Sequence, residues 1–394
     1  MRSALSLVSL ALLGCAVILL RGSIGSASIP QKKVTTQTTN QSLSKESLAA
    51  VQKGAKWLAS VQGADGGWGQ DGGEATFVRP NESLESQGND VANTAVAALA
   101  LLKAGKEFRP NVERAVAFVL ARVESSPENG LELTTTKNTQ IQRKLGPYID
   151  TFLASLLLAE VDGTMAKATN VRVRRNLEKC VAKIERNQKN DGSWNVAGGW
   201  APVLGTSMAS RSLYEAQQKG VRTDQKVMKN AEEYTLNVQE KGSSAVGPGI
   251  AGGAGVGFGA GRGGMTETVS VAAISADSAG VPLYRDAQAL EQLSRTPEAR
   301  TKNATKLAAI NGRLKDREFV DGFGSIGGEE FFSYLNIGDS LKRSGGKTWN
   351  DWYSQTSEKI LKLQNNDGTW SGHHCITGRV AVTGAAILNI TSAN

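Results

Sequence analysis

Three copies of one seven-residue pattern constrain this chain most. The pattern is Gln-x-x-Asp-Gly-(Gly/Ser/Thr)-Trp, and it occupies residues 62–68, 188–194 and 364–370. Each copy follows an amphipathic segment, and Asp-Gly is typical of a helix end because glycine adopts a positive φ easily. We expect the tryptophan to fold back as an apolar lid and the glutamine to bond backbone groups at the helix end. Such internal repetition indicates helical units that stack on one another.

From residue 46 onward, amphipathic segments alternate with segments that are apolar or small nearly all round. Residues 48–61 carry apolar side chains at helical spacing, whereas residues 93–102 have no polar face and must be surrounded by protein. We identify six such pairs: 48–61 with 93–102, 112–123 with 148–161, 171–188 with 205–219, 225–239 with 266–279, helical material between 283 and 315 with 329–343, and 352–364 with 376–390. The sequence therefore predicts an all-α fold, an α6/α6 toroid with an inner ring of six helices inside an outer ring. An open solenoid is the alternative.

The N-terminal residues differ in kind from the rest. Residues 4–20 are almost wholly apolar, and Gly25-Ser26-Ala27 offers small residues for a cut after Ala27. This predicts an export signal over residues 1–27, a flexible polar tether over 28–45 and the repeat domain over 46–394. We therefore expect export to the periplasm or the extracellular space. An uncleaved anchor, which would associate the protein with a membrane, and a lipoprotein signal at Cys15 are the alternatives.

Charge and cysteine content narrow the function classes. The net charge is +8 over 394 residues, and no run of five or more like charges is interleaved with aromatic residues. We therefore expect no nucleic-acid partner. Without the signal only Cys180 and Cys375 remain, so no disulfide framework supports the fold.

These features resemble the prenyltransferase and squalene-oxidase repeat family. That family includes squalene-hopene cyclases, related terpenoid cyclases and the β subunits of protein prenyltransferases. The resemblance covers residues 46–391 and rests on the three Gln-x-x-Asp-Gly-x-Trp copies and on inner segments of the Thr-Ala-x-Ala-x-Leu-Ala type. It implies a toroid whose central cavity binds an isoprenoid-like or other apolar molecule, with or without transforming it.

The catalytic motifs of the family are only partly present in this sequence. Related triterpene cyclases protonate an alkene with Asp-x-Asp-Asp-Thr-Ala, and the nearest match is residues 90–95, which keep Asp90 and Thr-Ala. The proton donor's position holds Ala92, so we do not expect alkene protonation by the usual acid. Protein prenyltransferases use zinc held by an Asp and a Cys two residues apart and a distant His, but residue 373 before Cys375 is His.

The only two histidines of the chain stand next to a cysteine directly after the third repeat, as His373, His374 and Cys375. Imidazole and thiolate are good Zn²⁺ ligands, so these three residues are the candidate metal site. Three consecutive residues cannot easily point at one ion, and we expect a further ligand from another loop. Because imidazole titrates near neutral pH, His374 and Cys375 are also catalytic candidates. The alternative is a polar helix start whose side chains cap backbone groups.

Acidic residues recur where inner segments begin, namely at Asp90, Asp150, Glu267, Glu329 and Glu330. In a ring they would face one rim, where two carboxylates could share acid/base work. Asp90, Glu267 and Glu330 are therefore catalytic candidates, and Asp150 is a candidate for substrate binding. The alternative is that these carboxylates only stabilise helix N-termini.

Aromatic residues lie on the same loops and helix starts. Tyr148, Trp200, Phe331 and Tyr334 are candidates to line an apolar cavity, and ordinary core packing is the alternative. Two other functions stay open. A non-catalytic interaction scaffold of the cell envelope fits the missing catalytic residues. A polysaccharide lyase or hydrolase would require a polar groove lined by carboxylates.

Overall fold

The computed structural model describes residues 43–73, 88–133, 136–137, 139–194, 202–244, 282–322 and 326–393, which all belong to one compact unit, residues 38–394. These residues form helices and no β-strand, apart from an isolated antiparallel bridge between Trp68 and Asp90. The predicted all-α class is confirmed. The predicted signal or anchor and nearly all of the tether lie outside the described residues. In the described ranges, no helix combines the length and the apolar character that crossing a membrane requires.

We number the α-helices in chain order as α1 (Lys45–Ser60), α2 (Val91–Ala104), α3 (Arg109–Ser125), α4 (Gln140–Leu145), α5 (Ile149–Val161), α6 (Lys167–Arg186), α7 (Pro202–Gln218), α8 (Gln225–Ser244), α9 (Pro282–Leu293), α10 (Pro297–Lys302), α11 (Ala304–Arg313), α12 (Arg317–Val320), α13 (Gly328–Ser344), α14 (Gly346–Lys362) and α15 (Arg379–Thr391). A short 3-10 helix, Lys106–Phe108, precedes α3.

Within the described ranges, six helices are buried along most of their length: α2, α5, α7, α9, α13 and α15. They contact one another in cyclic order, because α2 lies against α5, α5 against α7, α7 against α9, α9 against α13, α13 against α15, and α15 against α2. A helix that is apolar or small on every face needs protein on every side, which these neighbours provide. The cyclic order favours our toroid interpretation over an open solenoid.

The amphipathic helices lie outside these six. Helix α1 packs on α15 and α2, α3 on α2, α6 on α5 and α7, α8 on α9, and α14 on α13 and α15. In α1 the buried face carries Val51, Ala55 and Leu58, whereas Lys53 and Lys56 are exposed. In chain order, the short helices α10 to α12 take the place of the outer helix that was expected before α13. One face of each long outer helix is therefore core, and the other meets solvent.

The fourth and fifth helix pairs differ from the prediction. The inner segment expected over 266–279 lies outside the described residues. Helix α9 falls in the interval that we assigned to the outer ring, yet it is buried between α7 and α13. Its Glu291 is 0% exposed and pairs with Arg295 and Arg343. Ion pairing inside the fold therefore replaces solvation of this carboxylate.

The glutamines of the three repeats make one shared set of contacts. In each copy the glutamine Nε2 donates both to the carbonyl of its own Asp-Gly glycine and to a backbone carbonyl of the next outer helix. The second acceptor is Asn111 of α3 for Gln62, Val227 of α8 for Gln188 and Ala50 of α1 for Gln364, at 2.9 to 3.0 Å. Because the last copy bonds to the first helix, Gln364 joins the two ends of the described fold.

The tryptophans fold back as expected. Their Nε1 atoms donate to carbonyls ten residues earlier, in the last turn of the preceding helix, at 2.7 to 2.9 Å. The backbone N–H of Trp68 and that of Trp370 also donate to Thr94 and Thr383 in the inner helices α2 and α15, each at 2.9 Å. A repeat therefore ties its outer helix to the inner helix that follows.

Glycine is required where the last repeat meets α1. Gly368 has φ +92°, and a Cβ there would lie 3.1 Å from the backbone oxygen of Lys53 and 2.6 Å from its Cγ. Only a residue without a side chain allows this approach and this backbone conformation together. Helix α14 itself ends at Lys362, so the Asp-Gly dipeptide does not end the helix as predicted. It forms the turn that follows the helix, and it permits contact with α1.

Replacing Gln364 should weaken this closure. We expect Gln364→Ala to lower the free energy of unfolding by about 1–3 kcal/mol, because the Ala50 and Gly368 carbonyls lose their shared donor. Urea denaturation followed by circular dichroism measures the change. The matched control is Gln355→Ala, which removes an exposed glutamine from helix α14, the helix that precedes Gln364. Equal stability of the two variants would contradict a structural role for Gln364.

Candidate functional site

The starts of α2, α5 and α13 carry four of the acidic residues that the sequence singled out. Asp90, Asp150, Glu329 and Glu330 are at most 2% exposed. They therefore do not line an open groove, which a polysaccharide-acting enzyme would need. Glu267 lies outside the described residues.

Asp90 and Asp150 both bind the first turn of α2. Asp90 is the N-cap of that helix, and its carboxylate accepts hydrogen bonds from the Asn93 backbone N–H and side-chain amide, both at 2.8 Å. Asp150 accepts from the Ala92 N–H at 3.0 Å and from Gln142 Nε2 at 2.6 Å. Burial and the neighbouring Asp150 charge raise the pKa of Asp90 to about 7. Burial also raises the pKa of Asp150 to about 6, against the opposing effect of its hydrogen bonds.

Helix α4 supplies two residues that our sequence reasoning missed. Gln142 completes a capping box with Thr139, a pattern that the spacing Thr-x-x-Gln could have revealed. Gln140 Oε1 accepts from the backbone N–H groups of Thr377 and Gly378 at 2.8 and 3.0 Å. Through these bonds α4 connects the Asp90 and Asp150 pair to the loop that precedes α15.

A second cluster of side chains joins the loop before α15 to the start of α13. Ligand atoms of Glu329, His374 and Cys375 all lie within 4.8 Å of one another. His373 is not part of this group, since its side chain is exposed and its backbone N–H donates to the Ile326 carbonyl at 2.9 Å. We expected a further ligand from another loop, and the residue that lies beside His374 and Cys375 is Glu329, at the start of helix α13.

Glu330 lies beside this group. Its carboxylate accepts from the Tyr284 hydroxyl at 2.9 Å and from the Gly327 N–H at 2.8 Å. Its Oε2 is 3.9 Å from Nε2 of His374. Burial raises the pKa of Glu330, while the Tyr284 hydrogen bond and the His374 charge act in the opposite direction.

Cys375 has φ +56°, in the left-handed region that favours glycine. Burial raises the pKa of its thiol to about 12, and the charge of Glu329 adds to the rise. A thiol with so high a pKa carries little thiolate at neutral pH. Without a cation beside it, Cys375 is therefore a poor nucleophile.

A cavity of about 560 Å³ lies among five of the inner helices: α2, α5, α7, α13 and α15. Apolar side chains from the middle of these helices form much of its wall, including Leu99, Leu153, Leu156, Phe332, Leu335 and Leu388. Charged residues line it toward the C-terminal ends of the helices. There Lys103 pairs with Glu160 at 2.5 Å, and Arg211 pairs with Asp339. The cavity therefore combines an apolar wall with a charged end.

The residues predicted to bind substrate lie elsewhere. Tyr148, Asp150, Phe331 and Tyr334 do not line the cavity, and Trp200 lies outside the described residues. The Tyr334 hydroxyl donates to the Val320 carbonyl at 2.7 Å, and its ring meets that of Trp352 at 5.7 Å. Successive helix residues are rotated by about 100°. The face of α13 that lines the cavity therefore carries Phe332 and Leu335 instead of their aromatic neighbours.

The buried aspartate pair should make stability depend on pH. The pKa of Asp90 rises from 3.8 to about 7, so the folded protein holds this proton more tightly than the unfolded chain does. Its contribution to stability is complete below the unfolded pKa and is lost as the pH rises through about 7. The unchanged protein should therefore be less stable at about pH 8 than at about pH 5. We expect this decrease in the free energy of unfolding to be smaller in Asp90→Asn, by on the order of 2 kcal/mol.

Urea unfolding at both pH values measures the effect. The control is Asp351→Asn, which removes an exposed carboxylate from α14 and should keep the pH dependence of the unchanged protein. The account of Asp90 fails if the Asp90→Asn protein loses as much stability over this interval as the unchanged protein.

Comparison with known proteins agrees with the resemblance seen in the repeats. Residues 33–136, which contain the first repeat and Asp90, match the family model of the squalene-hopene cyclase C-terminal domain. A 71-residue stretch is 38% identical to a squalene–hopene cyclase of Bradyrhizobium diazoefficiens, and it covers 18% of this chain and 10% of that relative. No solved structure matches the chain. The repeats, the all-α fold and these two matches support the membership of this chain in the terpenoid-cyclase-like family of prenyltransferase and squalene-oxidase repeats.

Proposed function

We propose that this protein binds an isoprenoid-like or other apolar molecule in the cavity among its inner helices. The observation that carries the proposal is the apolar wall of that cavity. Leu99, Leu156 and Leu388 line it and remain partly exposed, although each lies on a helix that is otherwise mostly buried. A volume of about 560 Å³ lies within the usual range for small-molecule sites. Covering these side chains with an apolar ligand would remove their surface from water.

The charged end of the cavity adds a constraint on the ligand. Arg211 donates to Asn336 Oδ1 at 2.9 Å and pairs with Asp339, so its guanidinium is held in place beside the apolar wall. Burial raises the pKa of Glu215 close by, while the charge of Arg211 acts against that rise. A ligand with an apolar body and one polar end would suit this lining better than a pure hydrocarbon.

The proposal does not include alkene protonation by the usual family acid. That reaction requires an unusually strong acid, but Ala92 occupies the donor's position and the pKa of Asp90 is raised to about 7. Asp90 is also engaged as the cap of α2. We therefore propose binding as the function and assign no reaction to Asp90.

We also propose that the protein is exported. The support is the apolar stretch over residues 4–20 and the small residues that follow it. Sequencing the N-terminus of the protein recovered from cell fractions tests this. A new N-terminus at Ser28 in an exported fraction is expected, and an intact N-terminus in the cytosolic fraction would contradict it.

Filling the cavity with a larger side chain tests whether the protein binds an apolar ligand there. Protein purified from cells that make isoprenoids is extracted with organic solvent, and the extract is analysed by mass spectrometry. We expect about one apolar molecule per protein chain from the unchanged protein, and a loss of about tenfold or more from Leu156→Trp, whose indole would occupy the cavity. Leu361→Trp changes a half-buried leucine on α14 outside the cavity and should retain the ligand.

Other outcomes would favour the remaining functions. An empty extract from folded protein would contradict the proposal and favour an interaction scaffold of the cell envelope. Recovery of a carbohydrate instead would favour a polysaccharide-acting enzyme. Equal retention by Leu156→Trp and Leu361→Trp would show that the ligand lies outside this cavity.

A further inference from the structure

We propose that Glu329, His374 and Cys375 bind a divalent transition-metal ion of the Zn²⁺ type at the start of α13. Together they offer a carboxylate oxygen, an imidazole nitrogen and a sulfur. This mixed set suits Zn²⁺, whereas Mg²⁺ and Ca²⁺ prefer oxygen ligands alone. The inference goes beyond ligand binding in the cavity, because none of the three residues lines it.

The distances fit a metal site that closes by a small movement. The three ligand atoms lie within 4.8 Å of one another. Around a tetrahedral ion with bonds of about 2.0–2.3 Å, ligand atoms are roughly 3.3–3.8 Å apart. A contraction of about 1 Å by side-chain rotation would therefore bring all three to one ion.

Glu329 gives an independent reason to expect a cation. Its side chain is 0% exposed, and no N–H or O–H group in the described part of the chain donates a hydrogen bond to its Oε1. A buried carboxylate oxygen without such a donor is costly. The thiol of Cys375, a weak donor, is in reach of the same carboxylate. A metal ion would take the place of the thiol proton between the two residues and would satisfy Oε1.

The backbone already holds the ligands from two segments together. The Ile376 N–H donates to Glu329 Oε2 at 3.2 Å, and the Gly328 N–H donates to the Ile376 carbonyl at 3.0 Å. A Cβ on Gly327 would come within 2.6 Å of the His374 ring, so glycine leaves room for the imidazole. These contacts fix the loop against the start of α13 and would lower the entropy cost of assembling the site.

Charge around the site favours a dication. Glu330 lies outside the group of three, but its Oε2 is 3.9 Å from Nε2 of His374. The Tyr284 hydroxyl and the Gly327 N–H hold that carboxylate in place. Three protein ligands also leave a fourth position of a tetrahedral ion for water or another ligand.

Cobalt provides a spectroscopic test, because Co²⁺ replaces Zn²⁺ and its thiolate complexes absorb in the near ultraviolet. The full chain is stripped with a chelator, titrated with Co²⁺ and then with Zn²⁺. We expect one equivalent of Co²⁺ to produce a thiolate-to-cobalt charge-transfer band together with the visible bands of a tetrahedral ion. Zn²⁺ should then abolish both.

Variants assign the ligands. Cys375→Ser should lose the charge-transfer band, and Glu329→Gln and His374→Ala should each weaken Zn²⁺ binding more than about tenfold. His373→Ala, one residue away and exposed, and Cys180→Ala, in the core, should keep both the band and the affinity. Circular dichroism of each variant confirms that it is folded, and Glu329→Gln provides the test if Cys375→Ser does not fold.

Three results would overturn the proposal. The first is absence of stoichiometric binding by the unchanged protein. The second is a loss of affinity in His373→Ala as large as that in His374→Ala. The third is unchanged affinity in a folded Glu329→Gln protein. Loss of the cavity ligand in any of these proteins has no bearing on the metal, because the two sites share no residue.

Discussion

The contact between the last repeat and the first helix supports the rest of this fold. Gln364 donates to the Ala50 carbonyl of α1 at 2.9 Å, and Lys53 Nζ donates to the Asn366 carbonyl at 2.6 Å. A Cβ on Gly54 would lie 2.8 Å from the Trp370 ring, so this glycine admits the indole. Helix pairs that cannot bury their apolar faces alone need neighbours on both sides. Through this contact, the first helix pair and the last helix pair become each other's second neighbour.

Closing the helices on one another has two consequences for function. The starts of α2, α5 and α13 carry buried carboxylates that bind neighbouring backbone groups, so this end of the fold is tightly packed. The cavity lies among the same helices, and its charged lining is toward their C-terminal ends, where Lys103, Arg211 and Asp339 are found. Ligand binding and the proposed metal site therefore use different parts of the inner helices.

Much of the fold could be predicted from the sequence because the relevant signals are local. Each Gln-x-x-Asp-Gly-x-Trp copy directly follows an outer helix, and its glutamine and tryptophan bond groups of that repeat and of adjacent helices. The candidate functional site could be predicted less well from the sequence. The buried Glu291 of α9 pairs with Arg343 of α13, and the grouping of Glu329 with Cys375 likewise depends on two segments meeting in space. Neither contact leaves a periodic pattern in the sequence.

The central claim is that the described helices close on themselves around the cavity. A distance measurement between spin labels at Lys53 in α1 and Asn366 in the last repeat tests it most directly, with Cys15 and Cys375 replaced by serine and the buried Cys180 kept. Pulsed electron paramagnetic resonance should give one short and narrow distance distribution, because Lys53 contacts Asn366 across the closure. A long or broad distribution in folded protein would indicate an open array of helix pairs and would contradict the account.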